Sequence, residues 1–344
     1  MDKAAREHDT SIWLYAFGYF ACYAPYSALT KAMSSGLFGS LGKVSGFALL
    51  PVSTVASMIG MAVFLTTMRW WRFASHGTVF GVRVPRPGLR TFVSGLCSGA
   101  IIGTTTLAYT FSGVSIVFMM LLMRGGVLVI APLVDAVSGR RVRWFSWVAL
   151  GLSFGSLIAA FSNGSSFALT AIAAADVVIY LASYFVRLRF MSSGAKSDDP
   201  TATTRYFVEE QMVATPAIVL LLVVAAIIGG SGPLGDIRAG FTELPRTAAL
   251  LPTIIVGVLS QGTGIFGGLI LLDPRENTFC VPVNRASSVL AGILASGILT
   301  VFLAQPSLPT SEVVGALMVI GAIVVLALPG ILARRKARAA SPAR

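Results

Sequence analysis

Apolar residues in this chain come in runs of about twenty, separated by short polar stretches rich in arginine. Runs of that length match the roughly 30 Å of hydrocarbon that a membrane helix must cross. The pattern predicts ten such helices, near 11–31, 46–68, 91–109, 112–136, 144–162, 167–187, 206–228, 248–272, 278–303 and 313–333. The tightest connection falls at Tyr109–Ser115, where two runs nearly touch. The first run is too long for the apolar core of a typical signal peptide and lacks an obvious cleavage site, so a retained helix is expected there.

Charge placement tests that count. With the N-terminus on the cytoplasmic side, 20 of the 26 Lys and Arg fall in cytoplasmic segments. Lys31, Lys43, Arg238 and Arg246 fall outside, and Arg124 and Arg285 lie within spans. An error of one helix would scramble this partition. The asymmetry therefore supports an even number of spans with both termini cytoplasmic. Glu209-Glu-Gln211, with Arg205, is expected to cap the cytoplasmic end of its helix.

The two halves also echo each other. At a shift of 161, Tyr15, Tyr19 and Tyr23 fall on Asp176, Tyr180 and Tyr184, and Arg124 falls on Arg285. At a shift of 162, Gly95, Ser98 and Leu107 fall on Gly257, Ser260 and Leu269. Five helices per half is an odd number, so the second half must enter from the opposite side. The predicted fold is an all-α membrane protein of ten transmembrane helices in a 5+5 inverted-topology repeat. Its parts are a cytoplasmic N-tail over 1–10, repeats over 11–162 and 163–333, and a basic cytoplasmic C-tail over 334–344.

Composition agrees. The chain is 55% hydrophobic and 12% charged, where a soluble domain carries about 25% charged residues. The formal net charge of +12 reads as loop topology and not as a nucleic-acid surface, because the charges sit between apolar runs. Cys22, Cys97 and Cys280 each lie inside an apolar run, without metal-ligand spacing or a disulfide framework. The two histidines, His8 and His76, stand in tail and loop. HExxH, paired cysteines and a phosphate-cradling loop are all missing, so neither an enzyme nor a cofactor or metal is expected.

Chemistry within the spans is sparse and therefore pointed. Arg124 lies halfway along its span, where a guanidinium costs about 2.5–3.5 kcal/mol to insert. An acidic partner, backbone carbonyls or a bound anion must offset that. The planar fork of Arg suits carboxylate or phosphate, and a structural ion pair is the competing reading. Arg285 is its repeat partner, and Asn284 adds an amide that could orient a solute or tie helices together. Asp176 is the acid deep within a span, open to three roles: counter-ion, proton carrier or solute contact. It shares a helical stripe with Tyr180, Ser183 and Arg187. Tyr19, Tyr23 and Tyr26 form a stripe on the first helix that runs deeper than an interfacial aromatic belt. Gln261, within Ser260-Gln-Gly-Thr-Gly264, is expected to line the pathway, and prolines at 25, 51, 132, 216, 252 and 282 to loosen spans.

These features resemble the drug/metabolite transporter superfamily, which includes EamA-type permeases and nucleotide-sugar transporters. Leu122-Met-Arg-Gly125, Ser138-Gly-Arg-Arg141, Trp147 and Gly151 are similar to the fourth and fifth helices of that superfamily. Val283-Asn-Arg285 resembles the Leu-Asn-Lys core of the nucleotide-sugar transporter motif, with Arg285 in the place of the lysine that faces substrate phosphate. Val281-Pro282 replaces the Gly-Ala that precedes that core, and the paired-asparagine motif near the seventh helix has no clear counterpart. The resemblance spans 11–333 and implies a carrier of a small polar or anionic solute; a monomer or homodimer is expected, and the Ala- and Arg-rich character of the chain fits a bacterial inner membrane. Two other readings stay open: a proton-coupled exporter of amino acids or drugs using Asp176, and a non-transporting lipid-binding or assembly partner.

Overall fold

The computed structural model describes residues 3–39, 42–79, 82–111, 116–137, 144–161, 171–194, 201–273, 277–306 and 308–339. Ten long helices coincide with the ten apolar runs: α1 (Lys3–Ser35), α2 (Gly46–Thr67), α3 (Leu89–Ala108), α4 (Ile116–Val137), α5 (Trp144–Phe161), α6 (Ala171–Gly194), α7 (Ala202–Ile228), α9 (Leu250–Leu272), α10 (Asn277–Leu303) and α11 (Thr310–Ala339). Two features were not anticipated. A short helix, α8 (Pro233–Thr242), precedes α9, and strands β1 (His76–Val79) and β2 (Val82–Pro85) form an antiparallel hairpin before α3. Both are too short for an apolar run to signal them. Ser138-Gly-Arg-Arg141, Arg143, Lys196, Arg275 and most of the Tyr109–Ser115 connection lie outside the described residues.

Six helices among the described residues are long and apolar enough to cross a membrane: α2, α3, α6, α7, α9 and the Cys280–Leu303 part of α10. Their outward faces are apolar too, with Ile59, Val63, Phe92, Leu96, Leu220, Leu221 and Val258 all exposed. A surface of that kind is stable against lipid and not against water. The chain is an integral membrane protein. Several hydroxyls within these helices are satisfied by the preceding turn, as in Ser53 to the Leu49 carbonyl (2.8 Å) and Thr253 to the Ala249 carbonyl (2.7 Å). Pro25, Pro51, Pro132, Pro216 and Pro282 all lie inside continuous helices, so none of them ends a span. Gly36, at φ +71°, ends α1: its amide reaches the Met33 carbonyl and that of Leu37 reaches Ala32.

The packing pairs follow a regular scheme. α1 lies on α9 and α10, and α6 lies on α3 and α4; α2 packs on α9, and α7 on α3. α4 meets α5 and α10 meets α11, while α2 touches α7, α4 touches α10 and α5 touches α11. Helix ends gather at two poles. At one, Glu209 accepts bonds from the Ser75 and Gly88 amides, while Asn277 donates to Asp135 (3.2 Å) and to Ser192 (2.5 Å). At the other, Ser45 donates to Asp236 (2.6 Å) and Lys31 to the Phe111 carbonyl (3.0 Å).

Glycines set the closest of these contacts. A Cβ at Gly257 would lie 2.3 Å from the Ser53 carbonyl oxygen, and one at Gly95 would lie 2.8 Å from that of Glu210. Small residues let helix backbones approach where no water-driven force pulls them together. Gly257→Val should therefore lower the melting temperature of the detergent-solubilised protein sharply. Gly151→Val, where a Cβ meets nothing within 4 Å, should leave it near wild type; equal melting temperatures would contradict this view of the α2–α9 seam.

Candidate functional site

The helical scheme converges on a narrow cavity of about 70 Å³, smaller than the roughly 300–1,000 Å³ of drug-sized sites. Tyr19, Tyr23 and Tyr26 of α1, Arg124 of α4, Tyr184 and Arg187 of α6, Gln211 of α7 and Asn284 of α10 form its polar wall. Ser98, Ile101, Ile102 and Thr105 of α3 face it, as do Ser260, Thr263, Gly264, Gly267, Gly268 and Leu271 of α9. The lining repeats. The four α3 positions fall on Ser260, Thr263, Gly264 and Gly267 at an offset of 162, and Tyr23 and Tyr26 fall on Tyr184 and Arg187 at 161.

Both arginines are buried, Arg124 at 2% exposure and Arg285 at 0%. They share a partner. Arg124 donates to the hydroxyl oxygens of Tyr23 and Tyr180, and Arg285 donates to the same Tyr180 oxygen at 2.9 Å. Each also stacks on an aromatic face. The Arg124 guanidinium lies 5.2 Å from the centroid of Tyr23, and that of Arg285 lies 4.5 Å from the centroid of Tyr184. Those rings are paired alike, Tyr19 with Tyr23 at 5.1 Å and Tyr180 with Tyr184 at 4.8 Å, both tilted by 54°. Cation–π contact and phenol hydrogen bonds lower the cost of burying a cation. They do not cancel its charge. Neither arginine has a carboxylate partner among the described residues.

Several polar atoms on or behind this wall lack a hydrogen bond: Ser98 Oγ, Asn284 Oδ1, and Nε and Nη2 of Arg285. Native interiors seldom leave such groups bare unless a ligand or water completes them. Asn284 uses its other end to hold the Gly267 carbonyl at 3.3 Å. On one flank, Tyr26 hydrogen-bonds Thr106 at 2.8 Å and Tyr23 bonds Tyr109. Tyr109 packs edge-on against both rings at 5.7–6.2 Å. On another, Arg187 grips Glu210 with two bonds, Nε to Oε1 at 2.8 Å and Nη2 to Oε2 at 2.7 Å.

Placement separates the expected residues into two groups. Tyr19, Tyr23, Tyr26, Arg124 and Asn284 line the cavity, and Tyr180 and Arg285 stand directly behind it. Gln261 does not line it. The cavity face of α9 runs through 260, 263, 264 and 267, and one residue's rotation of about 100° turns Gln261 toward Gly60 of α2. Asp176 is buried, with Oδ2 unbonded, and is also absent from the lining. Glu210 corrects the expectation of a helix cap: it forms an internal ion pair with Arg187 at the cavity wall. Glu209 is the one that ties a helix end, accepting also from Thr91 at 2.7 Å. Tyr109, Gln211 and the pair itself were missed. Their signal, one acid and one base near the ends of neighbouring apolar runs, looks like ordinary interfacial charge until the runs are packed.

Tyr180 offers a direct test of this geometry. Tyr180→Phe removes the oxygen that both arginines use, leaving buried donors unsatisfied at about 1–3 kcal/mol. The variant should fold but melt lower than wild type, and added anion should restore more stability to it than to wild type. An unchanged melting temperature would remove Tyr180 as the shared acceptor.

No protein-family model matches the chain, and no curated protein matches it. Among solved structures, a protein known from its crystal structure is similar over 95% of this chain and 98% of its own length, with a TM-score of 0.50 and 14% identity. At that identity the likeness is one of fold alone: the whole helical arrangement, and not a local motif, is shared.

Proposed function

We propose that the protein is an alternating-access secondary transporter for a small anionic or zwitterionic metabolite, phosphorylated or carboxylated. The observation behind this reading is a cavity with polar groups inside an apolar protein, at which two buried guanidinium groups, Arg124 and Arg285, have no carboxylate partner among the described residues. Unpaired buried charge is costly enough that a counter-charge is normally present. Here an arriving solute supplies it. Arg124 and Arg285 attract the anion, while Asn284 and the tyrosines orient it.

The transport part of the proposal draws on symmetry. Swapping helices one to five with six, seven, nine, ten and eleven exchanges α1–α9 with α6–α3, and α2–α9 with α7–α3. The α4–α10, α5–α11 and α2–α7 contacts map onto themselves. Lining residues repeat at offsets of 161 and 162, and the two stacked Arg–Tyr units repeat at 161. This supports ten spans in a 5+5 inverted repeat with a central site, the design in which two halves rock about a fixed ligand. It also fits the resemblance to the drug/metabolite transporter superfamily. The pole that bears the arginine-rich hairpin is then cytoplasmic, in a bacterial inner membrane.

The purified chain, reconstituted in proteoliposomes, should accumulate at least one labelled solute from a panel of sugar phosphates, nucleotides, carboxylates and amino acids. Uptake should saturate and show counterflow. No flux for any member, together with tightly retained anionic lipid, would favour a lipid-binding partner instead.

A further inference from the structure

We propose that the Arg187–Glu210 pair couples anion binding to proton uptake, with Glu210 taking a proton from water as the anion draws Arg187 away. This rests on the anion-site reading above and adds the coupling ion to it. Arg187 is placed to be shared. Its side chain lines the cavity, Nε and Nη2 hold Glu210, and Nη1 makes no hydrogen bond among the described residues. Glu210 itself is fully buried and, among the described residues, otherwise accepts from Ser94, at 2.5 Å.

Among the described residues, the cation bonded to Glu210 is Arg187, while Arg90 of α3 and Arg205 of α7 are exposed. Arg187 faces it from α6, Cys97 from α3 and Tyr206 from α7 itself. Helices α2 and α9, also packed on α7, contain no ionisable residue. The turn Trp70–Phe73 meets α7 through Trp70 on Phe207, with Arg72 exposed, and α8 packs at the far end, where Arg238 lies against Gly229. A carboxylate deprived of Arg187 would be an unpaired buried charge, at a cost of several kcal/mol. Protonation removes that cost. The charge is accounted for: Arg187 exchanges one negative partner for another, and the proton that neutralises Glu210 offsets one unit of the charge the anion brings in, any second unit facing Arg124 and Arg285. Asp176 has no such link, since no cation joins it to the cavity among the described residues.

Sulfate is a suitable probe because it holds no proton near neutral pH. In weakly buffered detergent solution, saturating sodium sulfate should draw about one proton per chain from the medium, read with a pH indicator against sodium chloride. Sulfate affinity, read from the rise in melting temperature, should weaken as the pH is raised, by up to about tenfold per unit wherever one proton is taken up with the anion. Glu210→Gln retains an acceptor for Arg187 and removes the titrating group. It should bind sulfate with no proton uptake and no pH slope. Sulfate binding by wild type without proton uptake, or uptake unchanged in Glu210→Gln, would overturn the coupling and leave the anion site standing. No sulfate binding at all would overturn both. The wild-type pH slope decides the matter if the Gln variant does not fold.

Discussion

Replacing either Arg124 or Arg285 by alanine should reduce anion uptake by the reconstituted protein by about tenfold to more than a hundredfold. A hydrogen bond to a charged group contributes about 1.5–3 kcal/mol, and each 1.4 kcal/mol is a factor of about ten in binding. A buried cation also attracts an anion beyond any single hydrogen bond, so the upper part of that range is the expectation. Folding should survive. Alanine removes a residue that costs about 2.5–3.5 kcal/mol to insert, and Tyr180 still receives a bond from the remaining arginine. Lysine at either position should recover only part of the uptake, because it restores the charge but not the planar fork. Uptake at wild-type rates by both alanine variants would leave the cavity without its assigned anion-binding groups.

The largest loss of stability should come from splitting the Arg187–Glu210 pair. Glu210→Ala leaves a guanidinium buried without its carboxylate, and breaking such a pair costs about 3–5 kcal/mol. Ser94 loses its acceptor at the same time. The melting temperature in detergent should therefore fall further than for any single cavity-wall tyrosine. Arg187→Met combined with Glu210→Met should recover most of that loss, because matched apolar groups incur no desolvation penalty. If Glu210→Ala melts with wild type, the pair is not the internal clamp described above. The double variant should also lack any proton uptake with sulfate, which separates stability from coupling.

Much of the molecule was legible from residues alone. Ten apolar runs became ten long helices because each run satisfies its own backbone in lipid, so no distant partner is needed to define it. The Arg124–Arg285 correspondence was readable for a similar reason: a charge in an apolar run is conspicuous. The tyrosine stripe of α1 was readable as well, since Tyr19, Tyr23 and Tyr26 share one helical face. The short elements were not. α8 and the β-hairpin hold ten residues and two strands of four, too few to set up a pattern.

What the sequence determined by itself, then, is which segments form long apolar helices, and that two arginines stand inside apolar runs. Which way each polar side chain points was decided only by packing. Gln261 and Ser260 are neighbours in the chain, yet one meets Gly60 of α2 and the other meets the cavity. Arg187 and Glu210 lie at what read as loop-side ends, and become an internal pair only when α6 and α7 both dock on α3. The reason is physical. A helix in lipid is fixed by local hydrogen bonds and hydropathy, whereas its rotation and neighbours depend on steric fit between small residues many positions apart, which no single run encodes.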